Sequence, residues 1–308
     1  GIHFMKLFIC GNGFDLHHNL PTGYGHYAKF LKTHYPRIFR EYEDFPYLFS
    51  PYIPGKKYTP WTDIEKSLTI DYDELMSNAV AQDYPDVSSD TDSRWSDMEV
   101  NVGILTEFLE DFTGHCFYEW LSSVDCSNAI PDLSLPLDAL YVSFNYTDTL
   151  QVLYNIPEGN VLHIHGALKN IDTKCINNAS IRTEIQFGSP ELDPDNVCSE
   201  LEQQYGDDDF YGASISLAVT TLGNAAQNAS KNISNNYTRL ETFLGNHNID
   251  EVIILGHTLS EADYSYYADI IIPKYHNVQW TFMYHSNTDD IDSFLAKTGL
   301  ENFRMHKW

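Results

Sequence analysis

Short apolar runs, each closed by a polar turn, recur along the chain and set its plan. They are Lys6 to Cys10, Ala139 to Ser143, Val161 to Ile164, Glu251 to Leu255 and Val278 to Tyr284. All are rich in β-branched or aromatic residues and bounded by breakers, as buried strands are. The first four run into GNG, NYTD, HGAL and GHTL. Continuous apolar strands ending in polar loops predict a parallel sheet covered on both faces. In such sheets ligands sit beyond the carboxyl ends of the strands, so the four turns are read together as edges of one crevice.

Between the strands the period is helical. Ser96-Asp-Met-Glu99 has the spacing of a capping box, in which serine and glutamate satisfy each other's backbone donors. Val102, Leu105, Leu109 and Phe112 follow on one face, predicting a core-facing helix that runs to about Leu121. Trp61-Thr-Asp-Ile-Glu65 opens another, with Leu68 on the same face as Ile64. Ile171 to Asn248 is polar and Asn-rich, with Leu217 to Leu222 as its main apolar piece, and reads as helices and loops. The fold class that follows is α/β: a Rossmann-like parallel sheet of about five or six strands flanked by helices. It forms a single domain over 5–308, with a helical insertion at 60–125 and a polar helical insertion at 170–249. Gly1-Ile2-His3-Phe4 precede Met5 and are set aside as a cloning remnant.

Composition narrows the function. A chain of 308 residues with 43% hydrophobic and 20% charged residues is that of a globular protein, and its 21 tyrosines supply a substantial core. Against 44 acidic residues stand 18 basic ones, for a net charge of −26. Nucleic-acid binding rests on Lys and Arg neutralising phosphates, and this balance opposes it. The histidines also lack the acidic companions that a two-metal nuclease needs. Nine of the carboxylates fall between Glu184 and Asp209 with no Lys or Arg among them, the pattern of a solvated face. A small anion remains a feasible ligand, because backbone N–H groups can hold phosphate without side-chain charge. Five scattered cysteines without a C-x-x-C pair are neither a disulfide framework nor a zinc cage, and no metal is expected. No stretch of about 18 apolar residues and no signal segment is present, so the expected location is the cytoplasm, with no membrane partner.

Each turn supports two readings. Gly11-Asn12-Gly13 is a tight strand-to-loop turn or a nucleotide site, and Asp15 beside it could cap a helix. The dinucleotide fingerprint G-x-G-x-x-G fails at Leu16, and Tyr35 to Arg40 is not the second strand that the fingerprint requires. Asn145 can cap a helix, or its carboxamide can orient a water or a ribose hydroxyl. His163 and His165 sit at i and i+2, facing one side of a strand, a geometry able to hold a metal. No carboxylate or cysteine lies nearby in sequence to complete such a site. A histidine just before Gly166 suits a general base or a ribose contact better, with His163 nearer the sheet interior and His165 at the mouth. Gly256, Thr258 and Ser260 would let a phosphate or ribose approach the backbone, while His257 could cap a helix or face solvent.

Taken in chain order, G-N-G…L-P-T, F-N-Y-T, H-I-H-G and G-H-T-L-S resemble the AbiH family, the phage abortive-infection proteins of bacteria. Trp61…Glu65 and Ile185-Gln-Phe-Gly188 fit the same picture, and the likeness runs over nearly the whole chain from Met5. More remotely, the turns are similar to those of the sirtuin-like NAD-binding fold. The places that correspond are Gly11 to Gly13, Leu20-Pro21, Asn145, His165-Gly166, and Gly256 with Thr258. This resemblance implies NAD as substrate and chemistry at the nicotinamide–ribose bond. Asn145 and His165 would be catalytic, the first holding a water or the ribose and the second taking a proton. Gly11, Asn12 and Gly13 would admit the pyrophosphate, Asp15 or Thr258 would fix ribose hydroxyls, and Pro21, Thr22, His163, Gly256 and Ser260 would complete the NAD site. The implied partners are NAD or a related nucleotide, a phage component or activator protein, and further copies of the chain. The chain departs from deacetylase sirtuins in lacking their four-cysteine zinc module, which disfavours deacylation more than NAD hydrolysis. Two other readings stand beside hydrolysis. One is a non-catalytic sensor of NAD or ADP-ribose; the other is an interaction module in which Asn145 and His165 are merely cap and core.

Overall fold

The sheet is built outward from its first strand. Its members are β1 (Met5–Cys10), β2 (Leu140–Ser143), β3 (Val161–His163), β4 (Ile249–Leu255), β5 (Gln279–Tyr284) and β6 (Phe303–Lys307). The computed structural model describes residues 4–49, 61, 64–83, 97–206 and 212–308. The strand order is β3-β2-β1-β4-β5-β6, and every neighbouring pair is parallel. The chain steps outward through β2 and β3 on one side of β1, then outward through β4, β5 and β6 on the other. The direction reverses between β1 and β4, the place in an open parallel sheet beyond whose strand ends ligands bind.

All five predicted runs form strands, displaced by a residue or two at their ends. Alternation explains their stability. Leu7 and Ile9 enter one buried core with Val142, Val252 and Ile254, while Phe8 and Cys10 enter the core on the other face with Tyr141, Ile253 and Leu255. Each such side chain contributes about 1.5–3 kcal/mol on burial. The edge strand β6 was not predicted, because its sequence FRMHK is largely exposed and has no apolar run to mark it.

A buried carboxylate interrupts the apolar sheet. Glu251, buried in β4, accepts hydrogen bonds from Lys6 of β1 (2.8 Å), Thr281 of β5 (2.6 Å) and Arg304 of β6 (2.7 Å). A carboxylate tying β4 to both its neighbours and to the edge strand pins their register.

A third core lies away from the sheet. It is formed by helices Tyr24–His34, Tyr72–Asp83, Asp97–Thr113, His115–Ser122, Pro194–Tyr205 and Gly212–Asn228. Helix Asp97–Thr113 lies along Gly212–Asn228, so residues from both inserted regions share one interior, with Val102, Leu109 and Phe112 all buried. The helix predicted to run to about Leu121 is instead two helices that part at Gly114. The cause is Asn178, whose side-chain oxygen accepts the His115 N–H at 2.8 Å and so starts the second piece. Ile64 and Leu68 are both fully buried, as their spacing predicts. Ser96 and its capping box, the Leu105 side chain, Thr62, Asp63, residues 1–3 and Asp207–Asp209 lie outside the described residues.

Candidate functional site at the strand ends

A cavity of about 710 Å³ opens where the strands end, and all four polar turns reach it. Asn12, Asp15 and Thr22 come from the segment after β1, and Asn145 and Thr147 from the one after β2. His165 follows β3, and His257, Thr258 and Ser260 follow β4. Helical segments supply the opposite wall, through Tyr24, Ile64, Glu65, Phe117 and Trp120.

The glycines of the first turn lie against the turn that follows β4. Gly13 donates its N–H to the Gly256 carbonyl at 2.8 Å, and a Cβ on Gly13 would lie 2.6 Å from that oxygen. Gly256, at φ +60°, would meet the backbone of Gly13 at 2.5 Å in return. The β1 and β4 turns thus touch backbone to backbone, and only glycine permits the contact. The Gly13 N–H is thereby committed within the protein. Gly11 likewise gives its N–H to Leu255.

Asn145 is buried and donates from Nδ2 to the Gly11 carbonyl at 2.9 Å, tying the β2 turn to the β1 turn and leaving Oδ1 as its acceptor. His163 is not brought to the cavity. Its Nδ1 meets the Asn145 carbonyl at 2.8 Å and its Nε2 meets Gln151 at 3.0 Å, so both ring nitrogens are used within the protein. Pro21 is exposed and lies off the lining. His165, two residues after His163, does reach the cavity. Its backbone is fixed by Gln186, which donates to the His165 carbonyl at 2.8 Å, and by Arg239, which donates to the carbonyls of His163 and Ile164 at 2.9 Å each. Burial, reinforced by Lys231, holds the His165 imidazole well below its ordinary pKa, so it is neutral near pH 7.

Two carboxylates dominate the polar wall. Asp15 is buried and its pKa is pushed up to about 6, chiefly by burial, against hydrogen bonds from Thr147 and Thr149 that lower it. Asp263 sits in the first turn of helix Glu261–Tyr266. Its Oδ2 lies 3.3 Å from His257 Nε2, and its Oδ1 lies 3.8 Å from His165 Nε2 and 3.9 Å from Lys231 Nζ. The Leu259 N–H donates to His257 Nδ1, which places the ring proton on Nε2, facing Asp263. Lys231 is itself fully buried and pairs with Glu65 at 2.6 Å. Burial pushes the Asp263 carboxyl up, but the Lys231 charge and the His257 hydrogen bond outweigh it and hold the group ionised.

Sequence reasoning missed Asp263 and Lys231. Lys231 is a lone base in an Asn-rich stretch, brought in where Ser189 pairs with residues 229–231. Asp263 carried one weak signal, three residues after Ser260 in a helix-opening pattern. The wall is acidic: Asp15, Glu65, Glu191, Glu261, Asp263 and Asp290 line it, against Lys66 alone among lysines and arginines. Among the described residues five buried polar side-chain atoms lack a hydrogen-bond partner, and three of them, Asp15 Oδ1, Thr22 Oγ1 and Asp263 Oδ1, belong to residues of this one lining. Among the described residues no three His, Cys, Asp or Glu side chains gather as metal ligands, and no helix is long and apolar enough to cross a membrane.

No curated protein and no solved structure matches the chain significantly. A family model does: that of AbiH, described as bacteriophage abortive infection, matches residues 7–284. That span holds every turn of the cavity, together with Glu65, Lys231 and Asp263. The chain belongs to the AbiH family of bacteriophage abortive-infection proteins.

Proposed function

We propose that the protein is an abortive-infection effector that hydrolyses NAD at the nicotinamide–ribose bond. The observation that carries this reading is the gathering of Asp15 Oδ1, Thr22 Oγ1 and Asp263 Oδ1, buried and unpartnered, around one cavity at the reversal of the strand order. A buried oxygen without a partner costs about 1–3 kcal/mol, so three in one lining favour a ligand that supplies the missing bonds. Reversal points of open parallel sheets are where dinucleotides bind. The acidic wall suits the reacting end of NAD, since the pyridinium is a cation and cleavage develops positive charge on the ribose.

Within that reading Asn145 Oδ1 takes a ribose hydroxyl or the attacking water. The neutral His165 imidazole takes the water's proton. Asp15 and Thr22 accept from, or donate to, the ribose hydroxyls. Trp120, Phe117 and Tyr24 exclude bulk solvent from the opposite wall.

Nicotinamide release from NAD by the purified protein tests this, with Asn145→Ala and His165→Ala beside it. Release by the wild type that both folded variants lose supports the hydrolase. Silence of the wild type, alone and with phage lysate added, overturns it. One observation favours a second reading, a sensor that binds NAD or ADP-ribose intact: the Asn145 amide is already bonded to Gly11, which fits a fixed lining as well as a catalytic group. In that case NAD raises the melting temperature by mass action and is recovered unchanged.

A further inference from the structure

We infer that Asp263 is a catalytic residue of this site, the carboxylate that faces the ribosyl cation, and that Lys231 positions it. The inference rests on the NAD-hydrolase reading and extends it to a residue that neither the motif nor the family assignment points to.

Geometry separates the two oxygens of Asp263. Oδ2 is engaged by His257, whose ring is held on its far side by the Leu259 N–H (3.3 Å) and the Tyr267 hydroxyl (3.0 Å). That arrangement fixes the carboxylate plane. Oδ1 has no hydrogen bond, although the residue is 92% buried by its 8% relative exposure. It lies 3.8 Å from His165 Nε2 and 3.9 Å from Lys231 Nζ, beyond hydrogen-bond reach of either. The Lys231 ammonium is anchored instead by Glu65 at 2.6 Å. Its charge therefore favours the ionised Asp263 from outside hydrogen-bond distance. Asp263 lines the cavity, so an ionised, buried carboxylate with an incomplete hydrogen-bond shell stands beside the proposed base and is placed to act on a cation there.

The step balances as follows. The bond from ribose C1′ to nicotinamide breaks, and its electron pair neutralises the pyridinium nitrogen. Positive charge passes to C1′ and the ring oxygen, facing the Asp263 carboxylate. Water oxygen bonds to C1′, and the proton it sheds goes to His165. Asp263 neither gives nor takes a proton; its charge is more strongly attracted in the transition state than in the ground state.

Asp263→Asn keeps the shape and removes the charge. The expected result is a fall in kcat for nicotinamide release of at least about 100-fold, with ADP-ribose affinity within a few-fold of the wild type. A second pair guards against misfolding: Lys231→Met lowers kcat with little change in KM, and Lys231→Arg restores it. Wild-type release with Asp263→Asn close to wild type overturns the inference and leaves the hydrolase reading standing. If Asp263→Asn does not fold, equal kcat for Lys231→Met and Lys231→Arg overturns it instead. If the wild type releases nothing under any condition, the hydrolase reading fails, and calorimetry with NAD and ADP-ribose decides about Asp263. A preference for the cationic NAD that Asp263→Asn abolishes supports a cation-facing carboxylate; no preference, or no binding of either, overturns it.

Discussion

Glu251 and Asp263 are buried carboxylates of the same half of the sheet, and the chain treats them in opposite ways. Glu251 lies in the amino-terminal half of β4, where Lys6, Thr281 and Arg304 supply donors to both of its oxygens. Burial pushes its pKa up, and those donors bring it below the usual carboxylate range. Asp263 lies past the carboxyl end of the same strand, in the cavity lining, with one oxygen beside His257 and the other buried without a hydrogen bond. The cost of burying Glu251 is met within the fold, so the group fixes register and needs nothing else. That of Asp263 is met by neighbouring charge and not by hydrogen bonds to both oxygens, and an incomplete shell beside a cavity marks a place for something that arrives. The same contrast divides the molecule: the middle of the sheet is fully satisfied, and the unpaired Asp15, Thr22 and Asp263 oxygens gather at its carboxyl edge.

The most damaging change expected is Gly166→Ala. Gly166 has φ +91°, and a Cβ there would lie 1.8 Å from the Glu184 carbonyl. The variant should lose more than about 3 kcal/mol in urea unfolding. A near-neutral result would mean that the 184–186 segment does not hold His165 in place. Next comes Glu251→Gln, expected to cost about 1–3 kcal/mol, moderated because Lys6 and Arg304 can return to water. Its ligand affinity should equal the wild type's, and a change there would erase the distinction between the two carboxylates.

Asp15→Asn should act in the opposite direction. The folded pKa of about 6 exceeds the ordinary 3.8, so ionisation is disfavoured in the native state. Wild-type stability from this group is present below the ordinary value and is lost as pH rises through the folded one. The linkage is worth at most about 3 kcal/mol, and a carboxamide gives some of it back at Thr147. The variant should therefore be more stable than the wild type by about 1–2 kcal/mol at pH 7.5, with the gain fading as the pH approaches 4. A melting temperature that falls at pH 7.5 would show that the buried charge is satisfied after all. The smallest effect belongs to Asp263→Asn, whose stability should stay within about 1 kcal/mol of the wild type because Lys231 keeps Glu65. Losing more than Glu251→Gln does would make Asp263 a structural group.

Much of the carboxyl edge is readable from the turns. Asn145 and His165 are legible as candidates once the turns are read together, although an asparagine at a strand end by itself fits a helix cap equally. His163 has the same credentials in one dimension, and only the positions of Gln151 and the Asn145 carbonyl take it away from the cavity. The glycines of the first turn are legible as necessary, though not why: the backbone they make room for belongs to Gly256, far along the chain. Lys231 and Asp263 could not be paired from sequence, since nothing local relates an Asn-rich loop to the first turn of a distant helix.

Alternating burial, turn chemistry and apolar runs are local properties, and they alone determined the α/β class, the first five strands and the gathering of their turns at one edge. The order of strands about β1, the shared interior of the two inserted regions, and the mixture of filled and unfilled bonds around the cavity were decided by the tertiary structure. The physical reason is range: a strand's period acts between neighbours in the chain, whereas a buried charge is defined by whatever folding brings within a few ångströms of it.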